Sequence, residues 1–490
     1  MKNHIILLLL LLVAAPSPAQ DYGQWRKKYD QFKEQRQKEY QDFKAKANAD
    51  FAAYLKQQWK HYDRKSADAA PLPVIPPEPQ TLPPQQPSPR PLPEPTTTPD
   101  EIREIADQST PPATRPVTPV YKGRTLALEF FGDSLTIPWS EEMTPRLTSS
   151  DEKGFSAVWG VWSSHSDDCV RYLSAYADAH HLNGWGYYQL IKKLSEQAYT
   201  DRQNNERIAL QAFLLSQLKF KAQVAANEER LVLLLPFKEQ VYAVPYLVLD
   251  NSKFYIYSYG HNLGSSYRTY DNNFSYADRQ LSLAMDGGMD VGLRQRMEVK
   301  RWSAILGEPF VAELPIGNIA LQLNYPVIDG KVYYRQTVSP QLATQVLSTL
   351  RRKISGMNET QQVGYLLNLV QNGFKYATDD EMFGRQKQLF IEESFFYEQN
   401  NCKDRVGVFS WLVRELTGLD VVSVSFAATS RSKGVAHITC AVNFRGDVPG
   451  DAFNFRGKRY VMCDPTYINA GIGKTMPCYA GDAGEIRALD

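Results

Sequence analysis

The feature that most constrains the fold is an abrupt change in composition between residues 69 and 120. Pro, Thr, Gln and Glu dominate this segment, and seven prolines fall within residues 71–84. Proline lacks the backbone N–H that helices and sheet ladders need, and the segment has too few apolar side chains to form a core. We therefore predict a semi-rigid, polyproline-like linker between a short N-terminal part and a folded body.

The first twenty residues have the pattern of an export signal. Lys2 gives a positive start, an apolar run follows at residues 5–13, and residues 17–19 are small enough for cleavage. The apolar run is shorter than the ~20 residues that a membrane-spanning helix needs. We therefore assign residues 1–20 to a signal peptide and expect an exported protein, periplasmic or secreted, with no membrane span.

Residues 21–68 are predicted to form one long amphipathic helix. Its aromatic residues repeat every eleven positions in two series, which are Tyr29, Tyr40, Phe51 and Tyr62, and Phe32, Phe43 and Tyr54. Eleven residues make almost three full turns, so both series share one face. We expect this stripe to pack on the protein's own surface or on a second copy. The alternative is that the helix, residues 22–65, docks onto another protein.

From residue 121 onward, both kinds of apolar periodicity occur, which predicts an α+β body. Helices are expected at 187–198, 208–217, 341–353, 360–373 and 404–416, and strands at 231–235, 254–258, 332–336, 421–426, 436–444 and 459–463. We divide the body into a mixed α/β domain at 121–285, a connecting β-rich and helical region at 286–358, and a C-terminal domain at 359–490. The net charge of +1 argues against nucleic-acid binding.

The C-terminal domain contains the residue types of nucleophilic catalysis. Cys402 opens a predicted helix, where the positive end of the helix dipole favours thiolate over thiol. His437 starts a predicted strand and is the only histidine after residue 261, so it is the only candidate base in this domain. Asp464 ends a later strand, where its carboxylate could orient the imidazole. We predict a Cys402–His437–Asp464 triad and expect neither a cofactor nor a metal.

This ordered set resembles the transglutaminase-like superfamily, whose members share a papain-like core. Three motifs carry the resemblance, which are Cys402-Lys403-Asp404-Arg405 at a helix start, His437 at a strand start, and Asp464-Pro465-Thr466 after a later strand. The resemblance covers about residues 360–478 and is closest to exported proteins of the Bacteroidetes. It implies a papain-like core at the C-terminus and a cysteine peptidase or amidase that acts on a peptide or amide-containing substrate through an acyl-enzyme.

Some positions depart from the family pattern. Asn400 stands where glycine is usual, and Ile438 and Thr439 replace a small and an aromatic residue after the histidine. These changes alter the pocket, so a substrate cannot be transferred from the family. An oxyanion hole would need the backbone N–H of Cys402 and one upstream donor, for which Gln399 is the candidate.

Two alternatives stay open. The fold could be catalytically lapsed and serve as a binding or scaffold protein of the cell envelope. Residues 131–136 also match the nucleophile block of GDSL-type esterases, with Ser134 as nucleophile. The nearest histidine element, Asp178 to His181, follows too closely for that fold, which favours a simple turn between two strands at Ser134.

We also predict a degenerate second copy of the C-terminal fold at about residues 185–260. Asn204 precedes one apolar helix as Cys402 precedes another, and the following strands at 241–249 and 436–444 could correspond. In this alignment, Tyr242 or Ala243 takes the place of His437. The alternative is a chance similarity between two helix–strand units.

Overall fold

The computed structural model describes residues 19–69, 123–260, 263–271, 274 and 276–489. Nearly all of the predicted signal peptide and of the predicted linker lies outside these residues. Within the described ranges, no helix is long and apolar enough to cross a membrane.

The N-terminal helix ends earlier than predicted. Helix α1 spans Ala19–Leu55, and strand β1, Lys60–Asp63, follows it and pairs antiparallel with β9, Ser266–Thr269. Between them, Leu55 and Trp59 are buried in the core, and the indole N–H of Trp59 donates to the Leu55 carbonyl at 3.2 Å. The prediction of one helix over 21–68 is therefore wrong, because this packing turns the chain into the sheet.

The aromatic stripe of α1 is packed at one end and exposed at the other. The Phe51 ring stacks on Phe274 at 4.4 Å between ring centroids and lies edge-on to Trp159 at 4.8 Å. Towards the N-terminus, Tyr29, Phe32, Tyr40 and Phe43 are 51, 61, 41 and 58% exposed. Packing of the stripe on the protein's own surface is thus confirmed at its C-terminal end, and Tyr40 also contacts the body, where its hydroxyl lies 2.7 Å from that of Tyr276.

The rest of the described chain is a body of mixed helices and strands, which confirms the α+β class. Its helices are α2 (Glu152–His165), α3 (Asp167–Ala179), α4 (Gly184–Ala198), α5 (Asn204–Gln217), α6 (Lys300–Leu306), α7 (Ile316–Leu323), α8 (Gly330–Tyr334), α9 (Pro340–Lys353), α10 (Glu359–Gly373), α11 (Asp379–Phe383), α12 (Ile391–Tyr397) and α13 (Cys402–Thr417). The strands after β1 are β2 (Thr125–Phe130), β3 (Asp133–Pro138), β4 (Gln223–Asn227), β5 (Arg230–Leu235), β6 (Val241–Tyr242), β7 (Tyr246–Leu249), β8 (Ser252–Tyr257), β9, β10 (Gln295–Glu298), β11 (Val311–Leu314), β12 (Val327–Ile328), β13 (Lys375–Tyr376), β14 (Gln399–Asn400), β15 (Asp420–Phe426), β16 (His437–Asn443), β17 (Ala452–Phe455), β18 (Lys458–Cys463) and β19 (Glu485–Ala488).

Two antiparallel sheets organise the body. The first has the strand order β1-β9-β4-β5-β8-β7, and the second has the order β17-β18-β16-β15-β19. One continuous cluster of buried apolar side chains runs from Phe51 to Leu489 and contains residues from both sheets. The three predicted domains of the body therefore share a core.

The two sheets carry helices in the same way. Helix α5 contacts α4 and strands β4 and β5, and helix α13 contacts α10 and strands β15 and β16. After each helix, five strands follow in the same spatial order, β9-β4-β5-β8-β7 in one unit and β19-β15-β16-β18-β17 in the other, and every pairing is antiparallel. This is the common helix-on-sheet arrangement that a second copy requires.

The correspondence between the units differs from the predicted one. Strand β5, and not residues 241–249, takes the topological place of β16, so Tyr242 and Ala243 do not correspond to His437. In this correspondence, Cys402, His437 and Asp464 are matched by the first residue of α5, the first residue of β5 and the residue after β8. These residues are Asn204, Arg230 and Ser258. The first unit thus has no thiol, imidazole or carboxylate at the three positions of the predicted triad.

Candidate active site

The candidate nucleophile, Cys402, is the first residue of α13. The side chain of Asn401 accepts from the Lys403 N–H at 3.1 Å, and the Asp404 carboxylate accepts from the Asn401 N–H at 3.0 Å. The other oxygen of Asp404 accepts from the Leu389 N–H at 2.8 Å. This reciprocal capping box fixes where the helix begins, and so it fixes the position of the thiol. The Cys402 side chain is fully buried.

The candidate base and orienting carboxylate meet from neighbouring strands. Nε2 of His437, the first residue of β16, donates to Oδ2 of Asp464, directly after β18, at 2.8 Å. Oδ1 of Asp464 accepts from the backbone N–H groups of Thr466 and Tyr467 at 2.8 and 3.2 Å. The turn after Asp464 therefore holds the carboxylate, which in turn fixes the tautomer of the imidazole.

The remaining ring nitrogen of His437, Nδ1, is buried and has no hydrogen-bond partner of ordinary geometry among the described residues. The neighbouring Cys402 thiol nevertheless acts on the ring. Burial lowers the pKa of His437, but the charge and the hydrogen bond of Asp464 outweigh the effect of burial. Cys402 adds to the rise, and the pKa of His437 is raised to about 10. The Asp464 carboxylate therefore favours the protonated form of the imidazole beside Cys402.

Tyr479, which the sequence did not indicate, supports the imidazole from its face. Its ring is stacked on His437 with 5.3 Å between centroids and 22° between planes, and its hydroxyl donates to the Val435 carbonyl at 3.0 Å. The ring orientation is thus fixed at its edge by Asp464 and on its face by Tyr479.

Arg405, the last residue of the Cys-x-Asp-Arg motif, joins the parts of the site. Its guanidinium is fully buried and donates to the Asn400 side chain at 2.9 Å and to the carbonyls of Gln371, Phe374 and Pro465 at 3.3, 3.1 and 3.5 Å. Burial lowers the pKa of Arg405 to about 10, so the side chain keeps its charge at neutral pH. It connects α10, α13 and the turn after Asp464.

The predicted oxyanion donor, Gln399, lies in β14 opposite Lys375 of β13. Its side chain is partly exposed and makes no hydrogen bond in the described part of the chain. The next residue, Asn400, points its side chain at Arg405. Because successive residues of a strand point to opposite sides, Gln399 points away from Arg405.

A cavity of about 330 Å³ reaches His437. Its walls combine aromatic and aliphatic residues with charged side chains, including Tyr242, Ile328, Tyr334, Gln388, Lys403 and Arg487. Two cations in these walls have partners, since Lys387 is ion-paired with Glu393 at 2.9 Å and Lys403 with Asp379 at 2.5 Å. Cys402 is fully buried and does not line this cavity.

The other cysteines differ in their surroundings. Cys440 and Cys463 lie opposite each other on β16 and β18, and none of the five cysteines forms a disulfide. Burial raises the pKa values of Cys440 and Cys463, and it raises the pKa of Cys169 to about 12. These three thiols therefore stay protonated at neutral pH.

Ser134, the nucleophile of the esterase alternative, is an exposed residue of the β2–β3 hairpin, where it lies opposite Glu129. The buried carboxylate of Asp133 accepts from the Tyr176 hydroxyl at 2.6 Å and from the Gly292 N–H at 3.0 Å. Gly292 has a φ of +65°, and a Cβ there would lie 1.7 Å from the Phe131 carbonyl oxygen, so position 292, which packs against the hairpin, requires glycine. The hairpin turn lies at residues 131–132, as the sequence favoured, but Ser134 itself belongs to β3.

No family model matches this chain, and no curated protein is similar enough in sequence to count as a match.

Proposed function

We propose that the chain is a cysteine hydrolase of the transglutaminase-like type, with a papain-like core at its C-terminus. The observation that carries the proposal is a helix-start cysteine, Cys402, beside an imidazole, His437, whose far nitrogen is held by Asp464 at 2.8 Å. The substrate is a peptide or another amide. Exported proteins meet such substrates in the periplasm or outside the cell, and the leader pattern at residues 1–20 supports that location.

The geometry supports a two-step reaction. The Cys402 thiolate attacks the carbonyl carbon and forms a C–S bond, and the C–N bond then breaks as the His437 imidazolium gives its proton to the leaving amine. A water molecule then attacks the thioester while the neutral His437 takes one of its protons, and the C–S bond breaks, which releases the acid and restores the Cys402 thiolate beside the imidazolium. Water is the proposed acceptor because bacterial members of the superfamily are often protease-like; an amine acceptor would give transfer instead.

Cys402 is expected to react faster with iodoacetamide at pH 7 than any buried thiol of the chain. The measurement is labelling followed by peptide mass spectrometry in a Cys478→Ala background, because Cys478 is the partly exposed thiol. His437→Ala should slow labelling of Cys402 by ~10²-fold, since the cation beside the sulfur is lost. Labelling at Cys402 that is unchanged in His437→Ala would count against an activated pair.

Hydrolysis itself is tested with a peptide library analysed by mass spectrometry. The wild-type chain should generate new peptide termini, and Cys402→Ala should generate none. Cys440→Ala is the matched control, because Cys440 is equally buried but lies along β16 away from the imidazole. Cleavage by Cys402→Ala at the wild-type rate would refute the assignment of the nucleophile.

A binding or scaffold role is the second candidate function, and the exposed half of the aromatic stripe favours it. Tyr29, Phe32, Tyr40 and Phe43 continue the face with which Phe51 packs on the body, and an eleven-residue repeat is typical of supercoiled helices. The corresponding stripe of a second copy is the proposed partner, because it carries the same repeat.

The double variant Phe32→Ser with Phe43→Ser is therefore expected to convert an associating chain into a monomer. The molar mass is measured by light scattering over a range of concentrations. Lys38→Ser is the control, since Lys38 is exposed on another side of the same helix. A wild-type chain that stays monomeric at all concentrations, or a double variant that associates as strongly as wild type, would contradict the role of the stripe in self-association.

A further inference from the structure

Tyr376 carries a buried hydroxyl with no hydrogen-bond partner in the described part of the chain. It belongs to β13, which pairs parallel with β14 so that Tyr376 lies opposite Asn400, two residues before the thiol. The bonds from Lys375 N–H to the Glu398 carbonyl, 3.0 Å, and from Ala377 N–H to the Asn400 carbonyl, 3.2 Å, fix this register. A buried donor left unpaired costs stability, so its presence calls for an explanation such as a ligand group that binds there.

The Tyr376 ring is held next to the site by charge. The Arg405 guanidinium lies 5.6 Å from the ring centroid, within the range of a cation–π contact, and its own hydrogen bonds fix its place. Burial and then the negative charge of a Cys402 thiolate raise the pKa of Tyr376 well above its ordinary value. The phenol therefore keeps its proton at any working pH and acts as a hydrogen-bond donor.

The backbone N–H of Cys402 is a second donor without a partner. The backbone N–H of Asn401 donates to the Asp404 side chain. The N–H groups of Lys403 and Arg405 donate to the side chain and the carbonyl of Asn401. The described chain offers no acceptor to the N–H of Cys402. The first N–H groups of a helix have no acceptor within the helix, and they point along its positive end. One such donor thus belongs to Cys402 itself, and the other, the Tyr376 hydroxyl, to the strand paired with the segment just before Cys402.

Attack of a thiolate on a carbonyl carbon moves the π electrons onto the carbonyl oxygen, and that negative charge needs donors placed in advance. We propose that the Tyr376 hydroxyl and the Cys402 N–H form the oxyanion hole of this site. The inference rests on the proposed hydrolase function, and it assigns to Tyr376 the role predicted for Gln399, whose side chain points to the opposite side of β14 from Asn400.

The test compares two reactions at the same sulfur. Acylation by p-nitrophenyl acetate passes through an oxyanion and is followed by release of nitrophenolate, whereas alkylation by iodoacetamide displaces iodide without an oxyanion. Tyr376→Phe is expected to slow acylation of Cys402 by ~10²-fold and to leave alkylation within about twofold of wild type. Gln399→Ala should leave both rates within about twofold. The thermal midpoint of Tyr376→Phe should be no lower than that of wild type, because the variant loses no hydrogen bond and removes a buried, unpaired hydroxyl.

Equal acylation rates for Tyr376→Phe and wild type, or equal slowing of acylation and alkylation, would overturn the assignment of Tyr376 while leaving the nucleophile in place. Acylation that is as fast in Cys402→Ala as in wild type would instead overturn the hydrolase proposal. A large acylation defect in Gln399→Ala, with Tyr376→Phe near wild type, would return the role to Gln399.

Discussion

Asp464→Asn is expected to lower the pKa of His437 from about 10 to below the ordinary value of ~6.5 and to slow acylation of Cys402 by ~10⁴-fold. Burial alone lowers this pKa, and the Asp464 charge and its 2.8 Å hydrogen bond are what raise it. An amide keeps the shape of the carboxylate but removes its charge. The variant therefore removes the charge that favours the protonated imidazole.

Two measurements check this result. The histidine pKa is read from an NMR titration, with the His437 signal assigned by its absence in His437→Gln, and the acylation rate is followed by nitrophenolate release. Asp447→Asn is the control, because the Asp447 side chain is 94% exposed. An unchanged His437 pKa in Asp464→Asn would show that Asp464 does not carry the rise.

The same shift has a consequence for stability. A histidine whose pKa is raised in the folded state contributes stability fully below its unfolded pKa of ~6.5. This contribution is lost as the pH rises through the folded value of about 10. The wild-type free energy of unfolding should therefore decline over this window, and that part of the decline should be absent in Asp464→Asn.

The sequence predicted the three triad positions because each lies at the boundary of an element with a clear signal. Cys402 starts an apolar helix, His437 starts a β-branched strand, and Asp464 precedes a proline. The predicted strand at 332–336 was wrong for the opposite reason. Val332, Tyr333 and Tyr334 favour strands by composition, yet Asp329 caps a short helix there, and all three side chains are buried. Tertiary packing decided the conformation of a segment too short for periodicity to do so.

The support of the site could not be read from spacing. Tyr376 comes next to Cys402 only through the parallel pairing of β13 with β14, and Tyr479 reaches His437 from beyond the last motif.

Helix α2 was not predicted, although the sequence contains a signal for it. Phe155, Trp159 and Trp162 are spaced four and three residues apart, as on one face of a helix, and all three are buried in the core.

The sequence alignment between the two units was wrong, although the two units share one strand order. Only Glu228 and Glu229 connect β4 to β5, whereas residues 427–436 connect β15 to β16. An alignment that assumes equal distances along the chain from each helix therefore places the partner of His437 after β5, near Tyr242. A strand order that is conserved through loops of different length becomes visible only in the pairing of the strands.

Replacing the buried Arg405 with Met is expected to lower the free energy of unfolding by ~3–5 kcal/mol. The guanidinium donates to four acceptors, which are the Asn400 side chain and the carbonyls of Gln371, Phe374 and Pro465. Without it, these buried oxygens lose a donor at ~1–3 kcal/mol each, and relief of the desolvated charge offsets part of that loss.

The measurement is urea unfolding, with the midpoint and slope compared between variants. Arg445→Met is the control, because Arg445 is 69% exposed and its ion pair with Glu359 should contribute less than ~1 kcal/mol. Arg405→Lys separates charge from geometry. An ammonium restores the charge but cannot reach four acceptors in a fixed fork, so this variant should be nearly as unstable as Arg405→Met. Full stability of Arg405→Lys would mean that the charge of Arg405 matters for the fold and that the fork of hydrogen bonds does not.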